Sequence, residues 1–166
     1  LDLLVQIMQT REAVDGEMLL SLLEFRRLAE VFAARKTAQQ ITPESVDLLE
    51  RILNDIEAHL SDPEYLSDAD YRLHHTIATL SGNLVLKLMF NSFNPIYRYY
   101  SDFFYTRPDA GPDSLAYHRK LVAAIASGDG DRAGRTMEEA LLFAESRVVA
   151  ALELTDSDGM IPLIQD

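Results

Sequence analysis

The sequence predicts an all-α fold, an antiparallel bundle of about six to seven helices. Three observations predict it. Apolar residues recur at helical spacing, as in Val46, Leu49, Ile52, Leu53, Ile56 and Leu60. Helix starts and stops punctuate that pattern at Thr42-Pro43-Glu44, Ser81-Gly82-Asn83 and Gly128-Asp129-Gly130. No stretch alternates at period two for long enough to make a strand. A length of 166 residues suits one domain that buries its own core.

The elements follow in order. Leu1, Leu3, Leu4, Ile7 and Met8 make a short lead-in helix. Asp15-Gly16 opens a longer helix whose apolar positions include Met18, Leu19, Leu22, Leu23, Leu28, Val31 and Phe32; it ends loosely at Gln39-Gln40-Ile41. Thr42 is an N-cap, Pro43 fits the first turn, and Glu44 meets the positive end of the helix dipole. Asp62-Pro63 breaks that helix, and the next carries Tyr65 or Ser67 through Leu80. Gly82 stops it, because glycine takes the left-handed conformation at a helix end. Leu84 to about Arg107 reads as one long helix with a kink near Phe93-Asn94, where Pro95 removes a backbone bond. Arg107 to Pro112 reads as a loop, Asp113 to Ser127 as a helix, and Asp131 to Leu154 as the last helix. Residues 1–154 thus form one domain, and 155–166 a flexible tail.

Composition narrows the function. Asp and Glu number 27 against 15 Lys and Arg, a net charge of −12, which repels nucleic acid over most of the surface. There is no cysteine, so disulfides and thiolate metal sites are excluded. No apolar run approaches the ~20 residues that span a bilayer. Asp2 interrupts the start and no basic region precedes an apolar stretch, so no signal peptide is read and a cytoplasmic location is expected. The chain begins at Leu1 and reads as a piece of something longer.

Asp70 and His74 are the most informative pair. Residues four apart on a helix lie one above the other on the same face. A carboxylate and an imidazole so placed can share a cation, and His118 from another helix can complete the set. Imidazole and carboxylate suit zinc, nickel, iron or manganese. The competing reading is a surface Asp–His pair with an unrelated His118. His75 lies about 100° round the helix from His74 and reads as packing or surface. His59 reads as solvated. Arg26 is the best candidate for an anionic effector group, able to hold a carboxylate with two parallel bonds; an intrahelical pair with Glu30 is the alternative. Tyr97 and Arg98 are further pocket candidates, within a run where Tyr97, Tyr99, Tyr100 and Tyr105 either line a pocket with polar tips or pack as core and dimer surface.

Three blocks carry a resemblance. They are Glu24-Phe25-Arg26-Arg27-Leu28-Ala29-Glu30 followed by Ala33-Ala34; Asp70-Tyr71-Arg72-Leu73-His74 ending in Ser81-Gly82-Asn83; and His118 through Ala124-Ile125, Gly128-Asp129, Ala133 and Met137. In this order and spacing the chain resembles the C-terminal effector-binding and dimerisation (FCD) domain of the FadR branch of GntR-type bacterial transcription regulators. The resemblance implies a helical bundle with a central ligand cavity. It also implies a divalent metal held by one Asp and three His, with a small carboxylate at or beside it. Asp70, His74 and His118 match three ligand positions; Ala140 stands where the pattern places the fourth. A small anionic effector, a homodimer and DNA contact through a separate N-terminal winged-helix domain, not among these 166 residues, are implied as well.

No enzyme is expected. The chain has no paired Glu-x-x-His motifs for a di-iron centre, no cysteine nucleophile and no serine in a nucleophile elbow. The alternatives to a ligand sensor are a structural helical dimer module without ligand and an acyl-CoA-responsive sensor without metal.

Overall fold

The computed structural model describes residues 13–155 and 160–162, with side chains from Leu20 to Ala150 except those of Ile96 and Tyr99. Among the described residues six helices follow one another: α1 (Gly16–Gln39), α2 (Pro43–Ala58), α3 (Pro63–Leu80), α4 (Leu84–Tyr105), α5 (Ala110–Ala126) and α6 (Gly130–Thr155). The lead-in helix expected over Leu1 to Met8 lies outside the described residues. A two-stranded antiparallel ribbon joins β1 (Ala13–Asp15) to β2 (Met160–Pro162), with Val14 opposite Ile161. The segment read as a tail therefore contains three residues paired back to β1, just ahead of α1; the rest of it past Thr155 lies outside the described residues.

Caps set the boundaries. Thr42 Oγ1 accepts from the Ser45 N–H, Asp62 Oδ1 from Tyr65, and Asn83 Oδ1 from both Val85 and Leu86. Gly82 and Gly128, with φ of 70° and 75°, turn the chain out of α3 and α5. Two helix starts differ from the sequence reading: α3 begins at Pro63, ahead of Tyr65 or Ser67, and α5 begins ahead of Asp113. The loop expected to Pro112 is already helix from Ala110. Gly111 and Pro112 look like loop residues, yet first-turn N–H groups need no helical partner, so both fit there. Gly111 also lets the helix start lie close to α3 and the turn before it: a Cβ there would meet Leu66 Cδ1 at 2.9 Å and the Leu60 carbonyl at 3.1 Å. α4 continues through Pro95 as one helix.

α1 lies along α6 and also against α3 and α5, while α3 packs on α4, α5 on α6 and α2 on α3. Small residues make that closeness possible: Ala33, Ala34 and Ala38 of α1 are fully or almost fully buried. α3 buries a single stripe of Leu66, Ser67, Ala69, Asp70, Leu73, His74, Ile77 and Ala78. Those positions recur at three and four residues, the interval of one helix face. The stripe is apolar except for Ser67, Asp70 and His74, so all three point into the bundle.

Candidate metal and effector site

Four helices each contribute polar side chains four residues apart to one buried cluster. α1 supplies Arg26 and Glu30, α3 Asp70 and His74, α4 Tyr97, Ser101 and Tyr105, and α5 Ser114 and His118. Each set repeats at the helix interval, so it takes a place on the core face that an apolar stripe otherwise fills.

At the centre, His118 Nε2 lies 3.2 Å from Asp70 Oδ1 and 3.3 Å from His74 Nε2. His74 Nε2 is 3.9 Å from Asp70 Oδ1. Metal–ligand bonds of about 2.1 Å would put neighbouring ligands about 3.4 Å apart in a tetrahedral site. The three atoms therefore have the spacing of a metal-binding face. Among the described residues this is the one group of three or more His and acidic side chains close enough to share an ion.

A surrounding set of hydrogen bonds orients these ligands. Glu30, fully buried, accepts from His74 Nδ1 through one carboxylate oxygen and from Arg26 Nε through the other. Arg26 also donates to the Tyr97 hydroxyl at 2.7 Å, and Tyr97 donates to Asp70 Oδ2 at 2.6 Å. On the other side Tyr105 donates to Asp70 Oδ1 at 3.0 Å and shares a 2.7 Å bond with Ser114, whose Oγ lies 3.4 Å from His118 Nδ1. The Arg26 guanidinium stacks over the rings of Tyr97 and Tyr100, 4.3 and 5.0 Å from their centroids.

The ionisation follows from burial and neighbours. Burial pushes the Asp70 carboxyl up, but His118, His74 and Arg26 outweigh it and hold the group well below the usual carboxylate range. Burial likewise opposes the Glu30 charge, and Arg26 and His74 overcome it, so Glu30 is also lowered. Desolvation works against the Arg26 charge, and Glu30 leads the groups that keep it firmly protonated. Burial pushes His118 below the ordinary imidazole value against the pull of Asp70. Burial pushes Tyr97, Tyr100 and Tyr105 up, which leaves them hydrogen-bond donors. A neutral imidazole with its proton on Nδ1 presents a lone pair at Nε2. With both imidazoles so arranged, three acceptors would face one another at the centre, and a cation or a proton must separate them.

A cavity of about 30 Å³ opens beside the three ligands, lined by Ser101, Phe104, Ala140, Leu141, Phe143 and Val148 among others. Ala140, where the family resemblance would place a fourth ligand, is part of its wall. Ser101 Oγ is buried there without a hydrogen-bond partner. A second, mostly apolar cavity of about 50 Å³ lies between α1 and α4, against Leu22, Phe25, Leu86, Met89 and Phe93, and shares Arg26 and Tyr100 with the first.

Tyr97 joins the cluster. Arg26 is in it too, paired with Glu30. Arg98 is not: it points outward, 2.8 Å from Asp68, with 43% of its side chain exposed. Helix geometry accounts for this, since Arg98 is one residue, a 100° turn, from the buried Tyr97. His75 bonds Asn91 at the surface. His59 is partly exposed and stacks on Tyr65 at 3.9 Å. The Tyr99 side chain lies outside the described residues. Sequence reasoning took Glu30 only as a partner of Arg26 and missed Ser101 and Ser114. Their signal was present in the four-residue spacings Ser114–His118 and Tyr97–Ser101–Tyr105.

Comparison with known proteins places this chain in a family. The FCD domain matches residues 21–142. The chain belongs to the FCD domain family. The chain is 30% identical over 148 residues to a protein of Escherichia coli K12 named "Putative L-lactate dehydrogenase operon regulatory protein", across 86% of this chain and 56% of that protein. Similarity to the regulator Mce2R of Mycobacterium tuberculosis is 26% over 152 residues, 92% of this chain and 63% of that one. A fatty acid metabolism regulator of Shewanella sp. strain ANA-3 is 30% identical over 77 residues, 46% of this chain and 32% of that one. Among solved structures, a Streptococcus agalactiae GntR protein superposes with a TM-score of 0.64 at 27% identity, over 76% of this chain and 57% of that one. E. coli McbR/YncC shares the fold, with a TM-score of 0.71 at 14% identity over 86% of this chain and 68% of that one. The chain spans about half the length of the E. coli lactate-operon relative. This FCD domain is thus a regulatory, effector-binding domain of GntR type, in a family of transcription regulators and not of enzymes. Among the described residues no helix is long and apolar enough to cross a membrane.

Proposed function

We propose that this FCD domain senses a small carboxylate through a divalent metal held by Asp70, His74 and His118. The supporting observation is the convergence of three acceptor atoms at 3.2–3.9 Å in a buried setting. Zinc, nickel, iron and manganese all suit two imidazoles and a carboxylate. Three protein ligands leave coordination positions open, and Ala140 leaves room beside them for water or an effector oxygen. The metal would supply a Lewis-acidic anchor for the effector carboxylate; Asp70 and the imidazoles hold it, and the apolar wall around Phe143 excludes water.

The small cavity favours a short effector over the acyl chain of an acyl-CoA. L-lactate is the first candidate to test, because the E. coli relative is named for a lactate dehydrogenase operon. The effector must bind one bundle arrangement better than another to shift the regulator. In the full regulator that shift would reposition winged-helix domains across a homodimer on DNA, in the cytoplasm. Exposed Leu20, Phe25, Leu28 and Phe32 on α1, with Leu84, Val85 and Leu88 on α4, support a dimer surface.

Metal analysis and thermal shift test the reading. We expect about one divalent ion per chain and a melting temperature raised by metal, further by L-lactate or another small carboxylate. The pair His74→Ala with His118→Ala should lose the ion and the response while retaining helical circular dichroism. A wild-type protein that no divalent ion or small carboxylate stabilises is instead a structural module.

A further inference from the structure

Glu30 is fully buried, yet it is neither one of the three proposed ligands nor on the helices that carry them. Its two oxygens are both committed: one accepts from His74 Nδ1, the other from Arg26 Nε. We infer that Glu30 is the positioning residue for His74: by accepting the Nδ1 proton it aims the Nε2 lone pair at Asp70 and His118. This inference rests on the metal reading above.

The chemistry is that of a carboxylate–histidine–metal relay. An imidazole that donates from one nitrogen has its tautomer and ring plane set, and the other nitrogen becomes a better donor of electron density. Here the relay continues. Arg26 fixes Glu30 and also the Tyr97 hydroxyl, which donates to Asp70 Oδ2. Glu30, His74, Asp70, Tyr97 and Arg26 therefore form a closed loop through α1, α3 and α4. Two of the three proposed ligands are held by it. The guanidinium lies over the Tyr97 ring, committed on its Nε edge to Glu30. Arg26 so placed anchors the loop.

Two measurements test the role. In wild-type protein stripped of metal with a chelator, long-range ¹H–¹⁵N correlation spectra should show His74 protonated on Nδ1 and bare on Nε2. Removing the buried pair together, Arg26→Met with Glu30→Met, avoids leaving one charge unpaired. Its Zn²⁺ affinity, from competition with a fluorescent chelator, should fall roughly 10- to 100-fold. Glu30→Gln keeps an acceptor for Nδ1, so it should keep the tautomer and lose less affinity than the double variant. A wild-type His74 carrying its proton on Nε2 overturns the inference, as does a folded double variant that binds Zn²⁺ as tightly as wild type. If the double variant does not fold, the wild-type tautomer still decides. Wild-type protein that takes up no Zn²⁺ removes the metal reading alone, and the tautomer again decides the role of Glu30.

Discussion

Burying Asp70, Glu30 and His118 in one cluster gives the metal-free domain a definite response to acid. Burial leads the factors acting on each, and in Asp70 and Glu30 nearby cations reverse it; all three groups hold protons less readily than usual. The unfolded chain therefore binds more protons, and stability falls as pH falls. His118 acts first, below its ordinary value of about 6.5, and the two carboxylates add their loss below about 4. Circular dichroism melts of metal-free protein should show the melting temperature dropping between pH 7 and 5 and dropping again below pH 4. A flat profile would place these groups in water. Ser101 makes a second prediction at this scale. Its buried hydroxyl has no partner among the described residues, so Ser101→Ala should raise metal-free stability by about 1 kcal/mol. The same change should weaken effector binding if the effector reaches that hydroxyl, which calorimetry with L-lactate measures. Asp70, His74 and His118 were legible because two stand four apart and the third opens a recognisable block. The contact of Glu30 with His74 was not, because a polar residue on a helix gives no sign of what it will face across the bundle.

At the scale of elements, local chemistry was a good guide where it acts locally. Thr42-Pro43-Glu44 and Ser81-Gly82-Asn83 mark helix ends by capping alone. Gly82 sits at φ 70°, and a Cβ there would lie 3.1 Å from the Gln40 amide nitrogen. Gly82→Ala should therefore cost about 1 kcal/mol, and Thr42→Ala about 1 kcal/mol through its lost cap. Each should lower the melting temperature by about 2–4 °C. The start of α5 was misplaced for the opposite reason: Gly111 and Pro112 are punctuation by composition, but tight packing against Leu60 and Leu66 recruits Gly111 into a helix. The pairing of Val14 with Ile161 was invisible too, since three-residue strands carry no periodic signal.

For the whole molecule, charge makes a prediction independent of the metal. At −12 this domain lacks the cationic surface that displaces counterions from phosphates. Mixed with duplex DNA at about 0.15 M salt, where the Debye length is about 8 Å, it should show no mobility shift. DNA binding by this chain alone would reveal a basic patch hidden within the acid balance. The amino-acid order by itself determined the helical class, most helix ends and the family, because apolar period and caps act between residues a few positions apart. It also set Asp70 and His74 on one face. Only the tertiary structure decided that α1 brings Glu30 to His74 and that α4 turns Tyr97 inward while Arg98 faces solvent. Those outcomes depend on how helices distant in sequence rotate and close against one another, and the burial of the whole bundle sets that rotation.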